Sequence, residues 1–338
     1  MNQALISRRA LVASAAALAV RPLSAQTAYP NKPIRLIVPF APGGSVDMVG
    51  RIVAEILNKQ LGATVVVENI AGAAGVVGAH RVVSSKPDGY SLMAGSSNEM
   101  AGTKFVNAAQ KYDPAIDLTP IGLAAIAPNI WVAGANMKVK TVEEFVALAK
   151  ANPGKYSYGS PGIGSTPHFS GELIKKIAGV DLVHVPYKRS ATMVSDLAGG
   201  TLDFGVISQS LAAPFIKEGR MTALGVTTAG RIASMKEIPA LSESPSLKGY
   251  ALSGWFAFAG PKGLPPEIVS QLQAALKAGL ADPAIRERLD AAGAPAAKGE
   301  AIDGRDDGFA EAGDPVMVEG EIVTRIHLGI GLVRHLLD

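Results

Sequence analysis

The feature that most constrains the fold is a repeated alternation of short apolar runs with segments of helical periodicity. Residues 34–40, 64–68 and 90–94 are apolar runs of strand length. Between the first two, apolar residues at 46–57 recur at the spacing of one helix face, and the pattern ends near Gly62. Strands that alternate with such helices are typical of βαβ units, so this order predicts an α/β protein with mostly parallel sheets.

The same alternation repeats in the second half of the chain. Further strands are expected at residues 121–127, 130–133, 156–159, 182–186, 203–208, 221–227 and 250–259. Helices are expected after a capping box at Thr141, near residues 166–178 and 193–198, and at 266–280. Because a domain averages about 150 residues, a chain of 338 residues is expected to form two domains. The predicted boundaries are 26–126 plus 229–338 for the first domain and 127–228 for the second.

The two ends of the chain depart from this pattern. A basic pair at Arg8 and Arg9, an apolar run at 10–20 and a small-residue site at Ala25 predict an export signal that is cleaved after Ala25. The signal fits either the twin-arginine or the general secretory route, and its 11-residue run is too short to span a bilayer. At the other end, residues 297–338 form an atypical tail that fits no βα unit.

Charge and cysteine content exclude several classes of protein. The net charge of +3 comes from Arg8, Arg9 and Arg21 of the signal, because the remaining 29 basic residues balance 29 acidic ones. No Lys/Arg-rich tract is present, so nucleic acid is not an expected partner. The absence of cysteine excludes disulfides, thiolate metal sites, cysteine nucleophiles and a lipid-anchored cysteine.

Two glycine-rich turns share one plan, in which a strand is followed by glycines and then at once by a helix. The first turn spans residues 40–47, where Ser45 is predicted to cap the helix, and the second spans 159–168, where Ser165 or Thr166 is the predicted cap. Free N–H groups at a helix start attract anions, and a hydrogen bond to a charged acceptor contributes about 1.5–3 kcal/mol. Four to six such bonds would give micromolar affinity, which needs about 8 kcal/mol. The alternative is that both are ordinary βα turns.

Known nucleotide and hydrolase motifs do not fit. Gly159 and Gly164 have P-loop spacing, but Ser165 stands where that motif requires lysine. Pro167 stands where a dinucleotide fingerprint requires Gly or Ala. No Gly-x-Ser-x-Gly or His-Glu-x-x-His motif occurs. An enzyme is therefore unsupported, and no catalytic residue, metal or cofactor is expected.

Several single residues have both a structural and a functional interpretation. Asp47 either complements the helix dipole or accepts hydrogen bonds from loop amides, water or ligand. His168 is either a packed side chain or a hydrogen-bond donor to an anion. For Tyr187 a structural and a ligand-binding role both remain possible. Ser96, Ser97 and Asn98 follow the carboxyl end of a strand, where ligands of α/β sheets bind. Trp131 and Trp255 are expected in the core.

Long ordered strings in this sequence resemble the Bug-type receptors of the tripartite tricarboxylate transporter family. They include residues 29–44, the pair Val67-Glu68-Asn69 and Gly72 to Gly75, residues 86–90, the second glycine turn, and residues 185–188. The resemblance covers about residues 29–296. It implies an exported receptor with the two-domain periplasmic-binding-protein type II (Venus flytrap) fold, which closes over a small carboxylate and delivers it to a membrane permease.

The resemblance also implies a set of ligand-binding positions, to which Asn98 and Asp203 are added as further transfers. The candidate ligand-binding residues are Phe40, Gly43, Gly44, Ser45, Asp47, Ser97, Asn98, Ser160, Gly162, Gly164, Ser165, Thr166, His168, Tyr187 and Asp203. The protein is expected to be a periplasmic monomer. Two alternatives stay open, a secreted enzyme acting on a carboxylate and a receptor that serves a membrane sensor. Sequence does not identify the acid.

Overall fold

Strands and helices alternate through residues 29–297, which are the residues that the computed structural model describes. The strands are β1 (Ile34–Val38), β2 (Val65–Asn69), β3 (Ser91–Ser96), β4 (Leu118–Ala127), β5 (Asn129–Ala133), β6 (Ser157–Ser160), β7 (Val183–Pro186), β8 (Phe204–Ser208), β9 (Thr222–Val226) and β10 (Gly254–Pro261). The helices are α1 (Ser45–Leu61), α2 (Val76–Val83), α3 (Pro114–Asp117), α4 (Val142–Ala151), α5 (Thr166–Ala178), α6 (Ser190–Gly199), α7 (Gln209–Lys217), α8 (Pro266–Leu280) and α9 (Pro283–Ala291).

The strands form two five-stranded sheets, and this confirms the predicted fold class. The first sheet has the order β2-β1-β3-β10-β4 and the second has the order β7-β6-β8-β5-β9. Both sheets are mixed, because β10 is antiparallel to β3 and β4, and β5 is antiparallel to β8 and β9. Four of the five strands in each sheet nevertheless run in the same direction, so the expectation of mostly parallel sheets is confirmed, with β10 and β5 as the antiparallel strands. A helical crossover produces parallel neighbours, whereas β5 and β10 each enter their sheet from the other one.

The chain passes from the first sheet to the second between Ala127 and Asn129 and is back in the first sheet at Gly254. Before this return, Leu241, Leu247 and Tyr250 are buried in the core cluster of the second sheet. We therefore propose that the second domain extends to about Tyr250, beyond the boundary predicted at residue 228.

The segment after β10 packs on the first sheet. Gly279 of α8 approaches α1 so closely that an added Cβ would overlap Ile56. At the end of the described chain, the Ile126 N–H donates to the Pro295 carbonyl at 2.9 Å and the Ala297 N–H to the Ala124 carbonyl at 3.1 Å. The predictions for the export signal and for the tail beyond residue 297 fall outside the described residues. Within them, no helix has the length and apolar character needed to cross a membrane.

Candidate functional site

The first glycine turn joins β1 to α1 at the carboxyl edge of the first sheet. The N-cap residue is Gly44, with φ −86° and ψ 171°, and no side chain caps the helix. The prediction that Ser45 is the cap is therefore wrong, because Ser45 is the first helical residue. Gly43 has φ +86°, a conformation that favours glycine, so this position fits the sequence prediction of a sharp backbone turn.

Asp47 holds this turn together. Its side chain is 4% exposed and accepts hydrogen bonds from the Gly43 N–H at 2.9 Å, Arg51 Nε at 3.0 Å and Asn69 Nδ2 at 2.8 Å. Burial acts to raise the pKa of Asp47, but these hydrogen bonds outweigh it and keep the pKa below its usual value. Asp47 thus accepts a loop amide, as the functional interpretation proposed. Asn69 Nδ2 also donates to the Phe40 carbonyl at 3.0 Å.

Three successive backbone N–H groups of the first turn have no hydrogen-bond acceptor in the described part of the chain. Asp47 occupies the Gly43 N–H, but within residues 29–297 the N–H groups of Gly44, Ser45 and Val46 make no hydrogen bond. Gly43, Gly44 and Ser45 are exposed. Because these donors stand at the start of a 17-residue helix, they carry the positive end of its dipole. The arrangement can hold one carboxylate group.

The second glycine turn joins β6 to α5, and its hydrogen bonds are largely internal. Ser165 is the N-cap, as predicted, and its Oγ accepts the His168 N–H at 3.2 Å. The Gly162 N–H donates to Ser160 Oγ at 3.3 Å, and the Gly164 N–H donates to His168 Nδ1 at 3.2 Å. The Ser165 N–H donates to the Gly162 carbonyl at 3.3 Å.

The expectation of free N–H groups in both turns is therefore wrong for the second one. Its short polar side chains bond to neighbouring backbone groups, as serine often does in turns. The Thr166 N–H is also occupied, but its acceptor is Asn98 Oδ1 at 3.3 Å, which belongs to the other sheet's edge. In residues 162–166 only the Ile163 N–H has no hydrogen bond to the described chain.

Ser97, Asn98 and Thr166 are brought together, and they contact one another. Ser97 Oγ lies 2.9 Å from Thr166 Oγ1, and Asn98 Oδ1 lies 3.4 Å from the same hydroxyl. Next to them, an added Cβ on Gly102 would lie 2.9 Å from the Phe169 ring. Because Ser97 and Asn98 follow β3, which runs parallel to β1, the carboxyl edge of the first sheet meets the second turn here.

The rings of His168 and His184 pack against each other next to the second glycine turn. The His168 and His184 rings lie 4.3 Å apart, and His184 stacks on Tyr158 at 4.8 Å. His184 Nε2 is 2.7 Å from Ser160 Oγ. Burial lowers the pKa of His168, and burial together with His168 lowers the pKa of His184 to about 4. Both rings are neutral at pH 7, and His168 accepts the Gly164 N–H with Nδ1, so its proton is assigned to Nε2. Sequence analysis did not single out His184, because it lies inside an ordinary strand pattern.

Tyr187 and Asp203 take structural positions. The Tyr187 N–H bonds to the Ser160 carbonyl at 2.9 Å, and its hydroxyl donates to Asp196 at 2.8 Å. Burial and Asp196 raise the pKa of Tyr187 to about 12. Asp203 accepts Ser157 N–H and Oγ at 2.9 Å, which places it at the amino ends of β6 and β8, away from the second turn. Among residues 29–297 no cluster of His, Asp and Glu side chains is arranged to hold a metal ion.

Glu99 is a buried group that sequence analysis missed. It is 0% exposed, its Oε1 accepts the Ser96 N–H, and its Oε2 lies 2.6 Å from Ser96 Oγ. Burial raises the pKa of Glu99 to about 7, against hydrogen bonds from Ser96 that act to lower it. The signal available in the sequence was its position, directly after Ser96, Ser97 and Asn98.

The cap of α5 gives a direct test of the second turn. Replacing Ser165 with alanine removes the acceptor of the His168 N–H and the donor to the Gly162 carbonyl, so we expect a loss of about 1 kcal/mol in the free energy of unfolding. Urea unfolding followed by circular dichroism measures this loss. The control is Ser195→Ala on an exposed helical position, where the change should stay within about 0.5 kcal/mol. Equal effects of the two substitutions would refute the role of the cap.

Two mixed α/β sheets, each with a glycine turn that starts a helix at its carboxyl edge, define a solute-binding receptor of the two-domain type. The family model described as "Tripartite tricarboxylate transporter family receptor" matches residues 49–310. The chain belongs to this receptor family, as its sequence motifs predicted.

Individual relatives agree with this assignment. BugT from Bordetella pertussis is 33% identical over 274 residues, which cover 81% of this chain and 83% of BugT. The structure of the periplasmic binding protein BugD is 30% identical with a TM-score of 0.70, and covers 91% of this chain and 97% of BugD. The structure of R. palustris Rpa4515 with adipate is 29% identical with a TM-score of 0.73, with coverages of 91% and 97%. Of these three, BugD is described as a periplasmic binding protein and Rpa4515 was solved with adipate.

Proposed function

We propose that this protein captures a small carboxylate between its two domains in the periplasm and delivers it to the membrane permease of a tripartite tricarboxylate transporter. The observation that carries the proposal is the set of three open N–H groups at Gly44, Ser45 and Val46. The structure of Rpa4515 with adipate supports the ligand class. Family membership supports the permease, and the sequence of residues 1–25 supports export.

The proposed ligand contacts are backbone N–H groups that have no acceptor among the described residues or only a long hydrogen bond. Three bonds to a carboxylate contribute about 4.5–9 kcal/mol before ordering costs, which leaves micromolar affinity marginal for the first turn alone. We propose that the ligand also takes the Thr166 N–H, because its present bond to Asn98 is long at 3.3 Å and joins two different sheets. A carboxylate is a stronger acceptor than the amide oxygen that it would displace.

A thermal-shift screen of the purified mature protein tests the proposal. The panel contains adipate, malate, citrate, glutamate and benzoate, and at least one acid should raise the unfolding temperature. Ligand at 100 times its Kd stabilises the native state by about 2.7 kcal/mol. The matched controls are the corresponding uncharged amides, which should give no shift because they lack the anionic group. Equal shifts with acids and amides, or no shift with any acid, would refute carboxylate capture.

A further inference from the structure

Glu99 lies at the edge of the candidate site without belonging to the family's glycine turns. Ser96 ends β3, which is parallel to β1, and β1 leads into the first glycine turn. An added Cβ on Gly75 would lie 3.0 Å from both Glu99 Oε2 and the Phe40 ring, so Glu99 and Phe40 are close neighbours. The adjacent residue, Asn98, contacts the N-terminus of α5. The carboxyl group is thus buried beside both elements that frame the proposed site.

Within residues 29–297 no cationic side chain forms an ion pair with this carboxyl group. The charged or titratable groups on the helices that pack against β3 include Asp47 and Arg51 on α1 and His80 and Arg81 on α2, and Lys104 and Tyr112 follow Glu99 in the chain. Of these groups only Tyr112 has a hydrogen bond to Glu99 within residues 29–297, and it donates its hydroxyl to the Glu99 main-chain carbonyl at 2.8 Å, not to the carboxyl group. Asp47 pairs with Arg51, and Lys104 pairs with Asp113.

The hydrogen bonds around Glu99 accommodate both of its protonation states. As a carboxylate, it accepts the Ser96 N–H and the Ser96 hydroxyl proton. As a neutral acid, Oε2–H can donate to Ser96 Oγ while Oε1 keeps the N–H. Proton uptake therefore needs only a reversal of one hydroxyl, with no change of backbone. A buried carboxylate without a cation is costly, and a second negative charge nearby makes it more so.

We propose that Glu99 takes up a proton from solvent when the receptor captures its anionic ligand, so that carboxylate binding is coupled to proton uptake. This inference rests on the proposed function. The ligand does not need to touch Glu99, because in the closed site its charge interacts with that of the ionised side chain through a medium of low dielectric constant. The ligand-bound receptor then contains the ligand carboxylate and a neutral Glu99.

The sign of the effect follows from linkage. A ligand that binds best to the protonated form binds most tightly below the pKa of Glu99, which is about 7, and more weakly above it. If the ionised form does not bind, affinity falls roughly tenfold between pH 6 and pH 8. The pKa of Glu99 in the native protein lies above the usual value of 4.5. Its contribution to the free energy of unfolding is therefore fully present below pH 4.5 and decreases as the pH rises towards 7.

Isothermal titration calorimetry in buffers of different ionisation enthalpy counts the protons. Wild-type protein is titrated between pH 6 and 8.5 with adipate and with each panel acid other than citrate that gives a thermal shift, because their carboxyl groups are largely ionised over this range, whereas citrate itself titrates there. We expect uptake of roughly half to one proton per ligand at pH 7.5. Glu99→Gln, which preserves both contacts to Ser96, should bind with the wild-type affinity of pH 6 at every pH and take up none.

Glu68→Gln is the matched control, because Glu68 lies on the same sheet but is paired with Arg35 at 2.7 Å. It should keep the proton uptake and the pH dependence of the wild type. Ligand binding without proton uptake by the wild type overturns the inference, even if the Glu99 variant does not fold. Equal uptake by the wild type and Glu99→Gln overturns it as well. No binding of any panel acid at any pH refutes the proposed function instead.

A ligand-free readout is the unfolding midpoint, which should fall more from pH 5 to 8 in the wild type than in Glu99→Gln.

Discussion

Replacing Gly44 with valine is expected to reduce carboxylate affinity a hundredfold or more and to leave the fold in place. Gly44 has an extended backbone that any residue adopts, and an added Cβ meets only the Ala41 carbonyl at 4.0 Å. The valine methyl groups would therefore occupy the space in front of the open N–H groups. Losing two of these bonds costs about 3–6 kcal/mol. Calorimetric titration with the tightest acid of the panel measures the change.

The fold of this variant should survive, with a loss of at most about 1 kcal/mol for a less favourable N-cap residue. Gly230→Val is the matched control, because Gly230 also has open space around it and no positive φ. It should bind as the wild type does. Gly164 is a poorer position for this test, because it has φ +82° and an added Cβ would overlap Val106. Its substitution would displace Val106 and strain the backbone, so a loss of binding could not be separated from a change in the fold.

The substitution Ser45→Pro tests the contribution of a single backbone N–H group to ligand binding. Ser45 is the first residue of α1, where proline is well tolerated, and the extended Gly44 before it suits a following proline. Relative to Ser45→Ala, which also lacks the hydroxyl, the proline variant lacks only one N–H, so we expect its affinity to be roughly 10- to 100-fold lower than that of Ser45→Ala at nearly unchanged stability. Wild-type affinity in both Gly44→Val and Ser45→Pro would remove the first turn from the binding site.

The backbone of the site was predictable because it depends on local sequence. The strand before the first turn is an apolar run, the glycines at 43 and 164 have positive φ, and the cap at Ser165 lies within four residues of its partner. Such signals act over a few residues. The same reasoning failed at Ser45, where serine and glycine are both acceptable N-cap residues and only the backbone angles distinguish them.

The hydrogen-bond state of the site was not predictable, because it depends on contacts between distant segments. The Thr166 N–H meets Asn98, 68 residues away, and Ser160 meets His184, 24 residues away. Glu99 is a comparable case, because its burial results from the packing of three segments around it. The hydrogen bonds of Asp203 to Ser157, at the amino ends of β6 and β8, are a further contact between distant segments that its sequence position did not indicate.

Replacing Trp131 with alanine is expected to lower the free energy of unfolding by about 3–5 kcal/mol, the largest effect on stability that the described core suggests. Trp131 is 0% exposed, as its predicted place in the core requires. Its ring stacks on Phe204 at 5.7 Å and meets Phe145 edge-on at 5.3 Å. Alanine would leave a cavity beside the aromatic rings that α4 and β8 hold in position.

Trp131→Phe separates packing from polarity. Trp131 Nε1 is buried and has no hydrogen-bond partner among the described residues, so phenylalanine removes an unsatisfied donor while it keeps most of the aromatic contact. Its cost should therefore be less than half that of alanine. Urea unfolding followed by circular dichroism compares the two, and the fluorescence of Trp255 in β10 reports the first sheet separately. An alanine variant within 1 kcal/mol of the wild type would contradict the central role of Trp131. Trp131 and Trp255 lie in different core clusters. In the alanine variant the second sheet should therefore unfold at a lower urea concentration than the first sheet, whose unfolding Trp255 reports.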